Sequence, residues 1–200
     1  MVKEYKGLPL FDAALDEWTL GIYRLSLVDD PATEHEWMLF AKQGEKPIAN
    51  MKFAITDADE HKVLSVIMLA DTPILRIDEQ GNPFYIQFPK KVLYEAARRM
   101  LRDGYQRNVN IEHIDSSFVE GFDMVQLFVK DSAKGINPVG FEDVAEGSLF
   151  GEFFVNDETL WNEIKSGKFK GISLEGEFLA EQRETEINTV EDLLEQLGIA

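Results

Sequence analysis

A single long run of helical period, Pro89 to Gly104, stands among many short stretches of strand character, and this imbalance restricts the chain to sheet-dominated folds. Within it Val92, Leu93, Ala96, Ala97, Met100 and Leu101 fall on one face, while Lys90, Lys91, Glu95, Arg98, Arg99 and Arg102 lie mostly elsewhere. Pro89 suits a helix start and Gly104 a stop. Around it the pattern is extended. Thr19 to Val28 is rich in β-formers and stops at Asp29-Asp30-Pro31, because the residue before a proline is pushed out of helical geometry. Trp37 to Ala41 and Met51 to Thr56 read as further strands, and Val63 to Ala70 is almost continuously apolar, as in a strand covered on both faces. Ile74–Ile77 and Phe84–Phe88 flank a turn-rich segment as in a hairpin. Residues 108–129 are extended around a polar turn at Asp115-Ser116-Ser117, and Ser148–Val155 and the segment bearing Ser173 complete the series. A short helix capped by Asn156 carries Leu160, Trp161 and Ile164 and is closed by Gly167, its tryptophan read as core. A doubly wound parallel sheet would need more crossover helices. The expected fold class is therefore α+β, mainly an antiparallel β-barrel or curled sheet flanked by a few helices.

Two hundred residues suit one domain. We expect an N-terminal arm over residues 1–18, with Leu8, Leu10, Phe11, Leu15 and Trp18 as a docking stripe. The barrel-like domain would span 19–180, and 181–200 would form a charged linker and an amphipathic helix with Val190, Leu193, Leu194 and Leu197. Residues 131–147, with Gly135, Pro138 and Gly140, read as a mobile loop. Thirty-seven acidic against 20 basic residues give a net charge of -17, which repels phosphate backbones and anionic lipid. Neither nucleic acid nor membrane is an expected partner, and no run approaches the roughly 20 apolar residues of a bilayer span. There is no cysteine, which excludes a thiol nucleophile and thiolate metal ligands and suits an intracellular setting. Phosphate-loop, dinucleotide and His-Glu-x-x-His patterns are missing, so no cofactor is expected. The His35 and Glu112-His113 clusters match no familiar ligand spacing, so no metal is expected either.

Only three histidines are present, with His35 and His61 read as surface residues. A serine becomes nucleophilic when a base takes its proton, which makes Ser173, in Gly171-Ile172-Ser173-Leu174-Glu175-Gly176, and His113 the pair to test. The surroundings are not a nucleophile elbow, since Glu175 occupies the place of the second glycine.

From about Ile22 to Phe178 the segments resemble, in order, the prohead (capsid maturation) serine proteases of tailed phages, which are distantly similar to the herpesvirus assemblin protease. Leu27-Val28-Asp29-Asp30-Pro31-Ala32 is similar to that family's opening signature, and Val109-Asn110-Ile111-Glu112-His113 to its histidine strand. Gly147-Ser148-Leu149-Phe150-Gly151, Leu160-Trp161, Gly167 and Gly171 to Gly176 resemble its closing block. The resemblance implies a β-barrel with surrounding helices and a serine endopeptidase acting inside the immature capsid, in the bacterial host cytoplasm. Its partners would be the major capsid protein or the scaffold, and copies of itself. Carried over by position, Ser173 is the nucleophile and His113 the general base, with backbone N–H groups near the mobile loop stabilising the oxyanion.

The third member departs from the pattern. Where the relatives carry a glutamate, this chain has Gln126, which can orient an imidazole but cannot stabilise an imidazolium. Three readings stay open: a slow protease, a protease whose acid comes from elsewhere, and a chain that keeps only a capsid role. Side chains two apart on a strand share a face, so Glu175 is the preferred replacement acid beside Ser173; Glu177 and Asp115 are further options.

Overall fold

The computed structural model describes residues 3–29, 54–57, 60–78 and 80–182. His35, the second half of the Val-Asp-Asp-Pro-Ala signature, the expected strands at 37–41 and at 51–53, and the C-terminal helix lie outside them.

Thirteen strands and two helices are described: β1 (Glu4–Tyr5), β2 (Leu8–Ala14), β3 (Gly21–Val28), β4 (Ala54–Asp57), β5 (Lys62–Met68), β6 (Ile74–Ile77), β7 (Pro83–Gln87), α1 (Lys90–Arg102), β8 (Val109–Ile111), β9 (Ile114–Phe118), β10 (Phe122–Val129), β11 (Leu149–Val155), α2 (Glu158–Lys165), β12 (Gly171–Glu177) and β13 (Leu179–Gln182). They form three sheets, β1-β2-β7-β6 with β13 on β2, β10-β11-β5-β4, and β12-β3-β8-β9. The protein is thus α+β and mostly sheet. The barrel alternative is corrected, since the sheets do not close on one another, and the curled-sheet alternative stands; pairing is mainly antiparallel, as expected, with two parallel exceptions, β2 with β7 and β3 with β8. Pattern within a strand reports which faces are covered, not which strand lies alongside, so these pairings left no local trace.

The segment read as an arm is strand β2, held between β7 and β13. Strand β5 is buried on both faces, as its apolar run requires: Val63 and Ile67 join the main core, and Leu64 and Val66 a second cluster with Phe141, Val144 and Phe150. Helix α1 presents Leu93, Ala96 and Met100 to the main core, all fully buried, and its C-terminal turn gives way to Gly104 at φ +81°. On its outer side Glu95 receives Arg98 and Arg99, whose hydrogen bonds hold its carboxyl down at about 2. Arg99 also donates to the Thr19 carbonyl at 2.6 Å, tying the helix to the entry of β3. The cap of α2 is Asp157, not Asn156: its carboxylate accepts from the Leu160 N–H at 2.7 Å. Trp161 is 2% exposed in the core, with the His61 ring stacked on it at 4.7 Å.

Residues 131–147 are anchored at several points. Lys130 is 2% exposed, and its ammonium donates to the carbonyls of Phe141 (3.0 Å), Glu142 (2.8 Å) and Val144 (2.7 Å). Asp131 receives Lys90 and Lys134, and Glu146 receives the backbone N–H of Ser132. Lys130→Met should keep the stem's packing but leave three carbonyls without their donor. It is expected to lower stability by about 3 kcal/mol, since charge-assisted bonds are worth more than neutral ones and buried orphan groups are costly. Urea unfolding measures this, and proteolysis within 131–147 should accelerate in parallel.

Candidate functional site

The site forms on the outer face of the β12-β3-β8-β9 sheet. Register puts Ser173 of β12 opposite Ser26 of β3, Ser26 beside Asn110 of β8, and Asn110 opposite Phe118 of β9. Directly paired residues project to the same side, so a polar row runs over β12, β3 and β8 and gives way to Phe118 on β9, while Leu25, Leu27, Ile172 and Leu174 turn the other way into the core. Two residue pairs further along, and so on the same face, Glu175 lies opposite Arg24.

His113 reaches this row from a turn, not from a strand as its setting in the sequence suggests. Ile111 pairs with Ile114, leaving Glu112 (φ +51°) and His113 (φ +57°) as a two-residue loop in the left-handed region. Such loops match the twist of the strands they join, but normally use Asn-Gly or a similar pair, so Glu-His gave no turn signal. A non-glycine residue in that region carries a cost of roughly 1–2 kcal/mol. Here the loop is held by its partners: the Glu112 N–H donates to the Leu27 carbonyl at 3.0 Å, and its carboxylate accepts from the Asp29 N–H at 2.8 Å. Strain of this kind persists where the surroundings over-determine it.

The turn brings the imidazole onto a carboxylate. His113 Nδ1 is 3.1 Å from Glu175 Oε1 and 3.0 Å from Ser26 Oγ. An ionised carboxylate only accepts, which assigns the proton to Nδ1 and leaves Nε2 as the basic nitrogen. Nε2 has no hydrogen-bond partner among the described residues. Ser26 is fully buried and donates to Asn110 Oδ1 at 2.6 Å, while Asn110 Nδ2 donates to Glu175 Oε1 at 3.3 Å. Arg24 donates to Glu175 Oε2 at 3.3 Å and to Asp115. The Asp115 hydrogen bond, with the Glu175 charge behind it, raises the Arg24 pKa above its ordinary value, so a fixed cation backs the carboxylate.

Ser173 is 8% exposed and its hydroxyl has no hydrogen-bond partner among the described residues, His113 included. Its strand neighbour Ser26 is the residue the imidazole touches, and the Cβ atoms of such a pair stand about 4.5–5.5 Å apart. Ser173 also lines a cleft of about 460 Å³, in which Glu175 takes part.

Of the residues singled out by sequence, the structure brings His113 and Glu175 into contact and puts Ser173 on their face. It does not bring Gln126 to them. Gln126 is on β10, in another sheet, where its amide donates to Glu152 Oε2 at 2.7 Å. That expectation is corrected: the neutral amide pairs across strands, and Glu175 occupies the place beside the ring. Asp115 serves Arg24 and not His113, and Glu177 is exposed. The expected oxyanion loop at 131–147 is anchored through Lys130 to the sheet containing β10 and β11. Three residues went unnoticed in the sequence: Ser26, Asn110 and Arg24. A usable signal did exist for the first two, each a lone polar residue between apolar neighbours in a buried strand, where a polar group needs a partner.

Among the described residues no group of three or more metal-capable side chains converges, and no helix is long and apolar enough to cross a membrane. Set against protein-family models, curated proteins and solved structures, the chain finds no match.

Proposed function

We propose that this chain is a serine endopeptidase of the phage prohead type, with Ser173 as nucleophile, His113 as general base and Glu175 as the acid that orients and supports the imidazole. The observation that carries the reading is the Glu175 to His113 Nδ1 contact, which leaves Nε2 without a hydrogen-bond partner among the described residues, on the sheet face where the Ser173 hydroxyl likewise has none among them. A carboxylate in this place supplies what Gln126 lacks, a negative charge to stabilise the imidazolium.

The reaction is acyl transfer. Ser173 Oγ gives its proton to His113 Nε2 and bonds to the peptide carbonyl carbon; the imidazolium passes that proton to the leaving nitrogen as the C–N bond breaks. Water then gives a proton to Nε2, its oxygen attacks the acyl-enzyme, and Ser173 recovers its hydrogen as the ester bond breaks. A rotation of Ser173 about χ1, with the approach of the neighbouring ring, is what the reaction requires; catalytic bonds of this kind are often long before substrate binds. By its resemblance to prohead proteases, the substrate is the scaffold or the scaffolding segment of the major capsid protein, cleaved within the assembling procapsid, and copies of the chain itself.

One observation favours a second reading, a capsid assembly factor on the same fold: Ser173 and His113 share no hydrogen bond. A fluorophosphonate probe separates the two. Covalent labelling at residue 173, together with cleavage of the cognate capsid or scaffold protein, is the expected result. Binding of that protein with neither labelling nor cleavage would overturn the hydrolase in favour of the assembly factor.

A further inference from the structure

Strand β12 pairs only with β3 among the described residues, so it forms one edge of its sheet. A strand sends alternate backbone N–H and C=O groups to its two sides, and those turned away from β3 have no backbone partner among the described residues. The edge is not open surface: Gly171, Ile172 and Ser173 are buried, and unpaired backbone groups in such a place are costly. The cleft beside Ser173 lies along this edge. Five consecutive residues, Ile172 to Gly176, line it; side chains alternate between faces, so only a groove along the strand's margin meets them all. The rest of its lining is largely apolar, with Ile67, Met68, Phe84, Ile86, Phe88 and Phe178 joined by Tyr23 and Arg76, and its volume of about 460 Å³ is within the roughly 300–1,000 Å³ usual for ligand clefts.

We infer that the groove takes a polypeptide substrate as an added strand on the free edge of β12, with one bulky apolar side chain, aromatic or large aliphatic, seated against the Phe84–Ile86–Phe88 wall. The unpaired backbone row gives affinity for any extended peptide, and the apolar wall selects among them. Ser173 lies on that same edge, so the peptide bond it attacks would be within the paired stretch. A bound strand would also satisfy the backbone groups left without partners. The placing of the scissile bond rests on the hydrolase reading; the groove does not.

The test therefore measures binding without turnover. In the full chain carrying Ser173→Ala, fluorescein-labelled nonapeptide pools with one position fixed as Phe, Leu, Ala, Asp or Lys are titrated by fluorescence polarisation. The Phe and Leu pools should bind at least about tenfold more tightly than the others. The preferred single peptide is then made in two series, N-methylated at odd or at even amides. Strand addition requires one series to lose binding and the other to keep it, because alternate amides face β12. Ala180→Trp, at an exposed position on the groove's lip, should remove the apolar preference, with its melting curve checking the fold. No preference among pools, or equal binding by both N-methyl series, overturns the inference. In protein with native Ser173, fluorophosphonate labelling that survives Ala180→Trp while peptide binding is lost supports both readings. Intact strand-like binding without any labelling of the native protein supports the groove and sinks the hydrolase.

Discussion

Ser173→Ala should lower peptide cleavage by at least about 10⁴-fold and abolish fluorophosphonate labelling, while Ser26→Ala should keep the label on residue 173. The two serines face each other across β12 and β3, and Ser26 is the one that touches His113. Contact alone would nominate Ser26. Burial argues otherwise: Ser26 is wholly enclosed and its hydroxyl is committed to Asn110, whereas Ser173 borders the cleft with its hydroxyl unengaged among the described residues. Ser26 also meets the ring at Nδ1, the nitrogen that Glu175 occupies, so it sits on the orienting side of the imidazole and not on its basic side. Removing it should loosen the ring and cost about 1 kcal/mol of stability through Asn110's lost donor, with a fall in rate far smaller than for Ser173. His113→Ala should match Ser173→Ala, because nucleophile and base act as a unit and the loss of either forfeits nearly the whole effect. Labelling of Ser26 in the native protein would refute this assignment.

Glu175→Gln is expected to slow cleavage by about 10⁴, the penalty incurred when a triad carboxylate becomes an amide, and Gln126→Ala to change the rate less than about twofold. The first substitution preserves shape; its single carbonyl oxygen can stay with Asn110 and His113, while Arg24 loses one acceptor but keeps Asp115, so the fold should survive; what disappears is the charge that stabilises the imidazolium. A rate loss in kcat with KM nearly constant would mark that role, because the interaction matters only once the ring is charged. Gln126, hydrogen-bonded to Glu152 on a different sheet, has no such part to play. Equal losses for the two variants would show that the acid had been misassigned.

These expectations depend on a pairing scheme that local sequence does not encode. The helix 90–102 was legible because six apolar positions recur with helical period, and β5 because an unbroken apolar run needs cover on both faces. Glu175 was within reach for a similar reason: residues 173 and 175 of a regular strand must point the same way. Gln126 was misplaced because a positional analogy assumes the same strand neighbours, and here β10 runs beside β11, away from β8. The His113 turn escaped because two left-handed residues without glycine or asparagine leave no compositional mark, and their strain is carried by contacts with β3.

The amino-acid sequence by itself determined the balance of sheet over helix, the chemical types available for catalysis and the shared face of Ser173 and Glu175, since all three follow from composition and from periodicities of two or 3.6 residues. Tertiary structure alone decided that β3 separates β12 from β8, that His113 leans back from a turn onto Glu175, and that the margin of β12 borders a cleft. Those relations join residues up to 151 positions apart, as with Arg24 and Glu175, and arise when apolar faces are buried together; no nearest-neighbour preference along the chain can specify them.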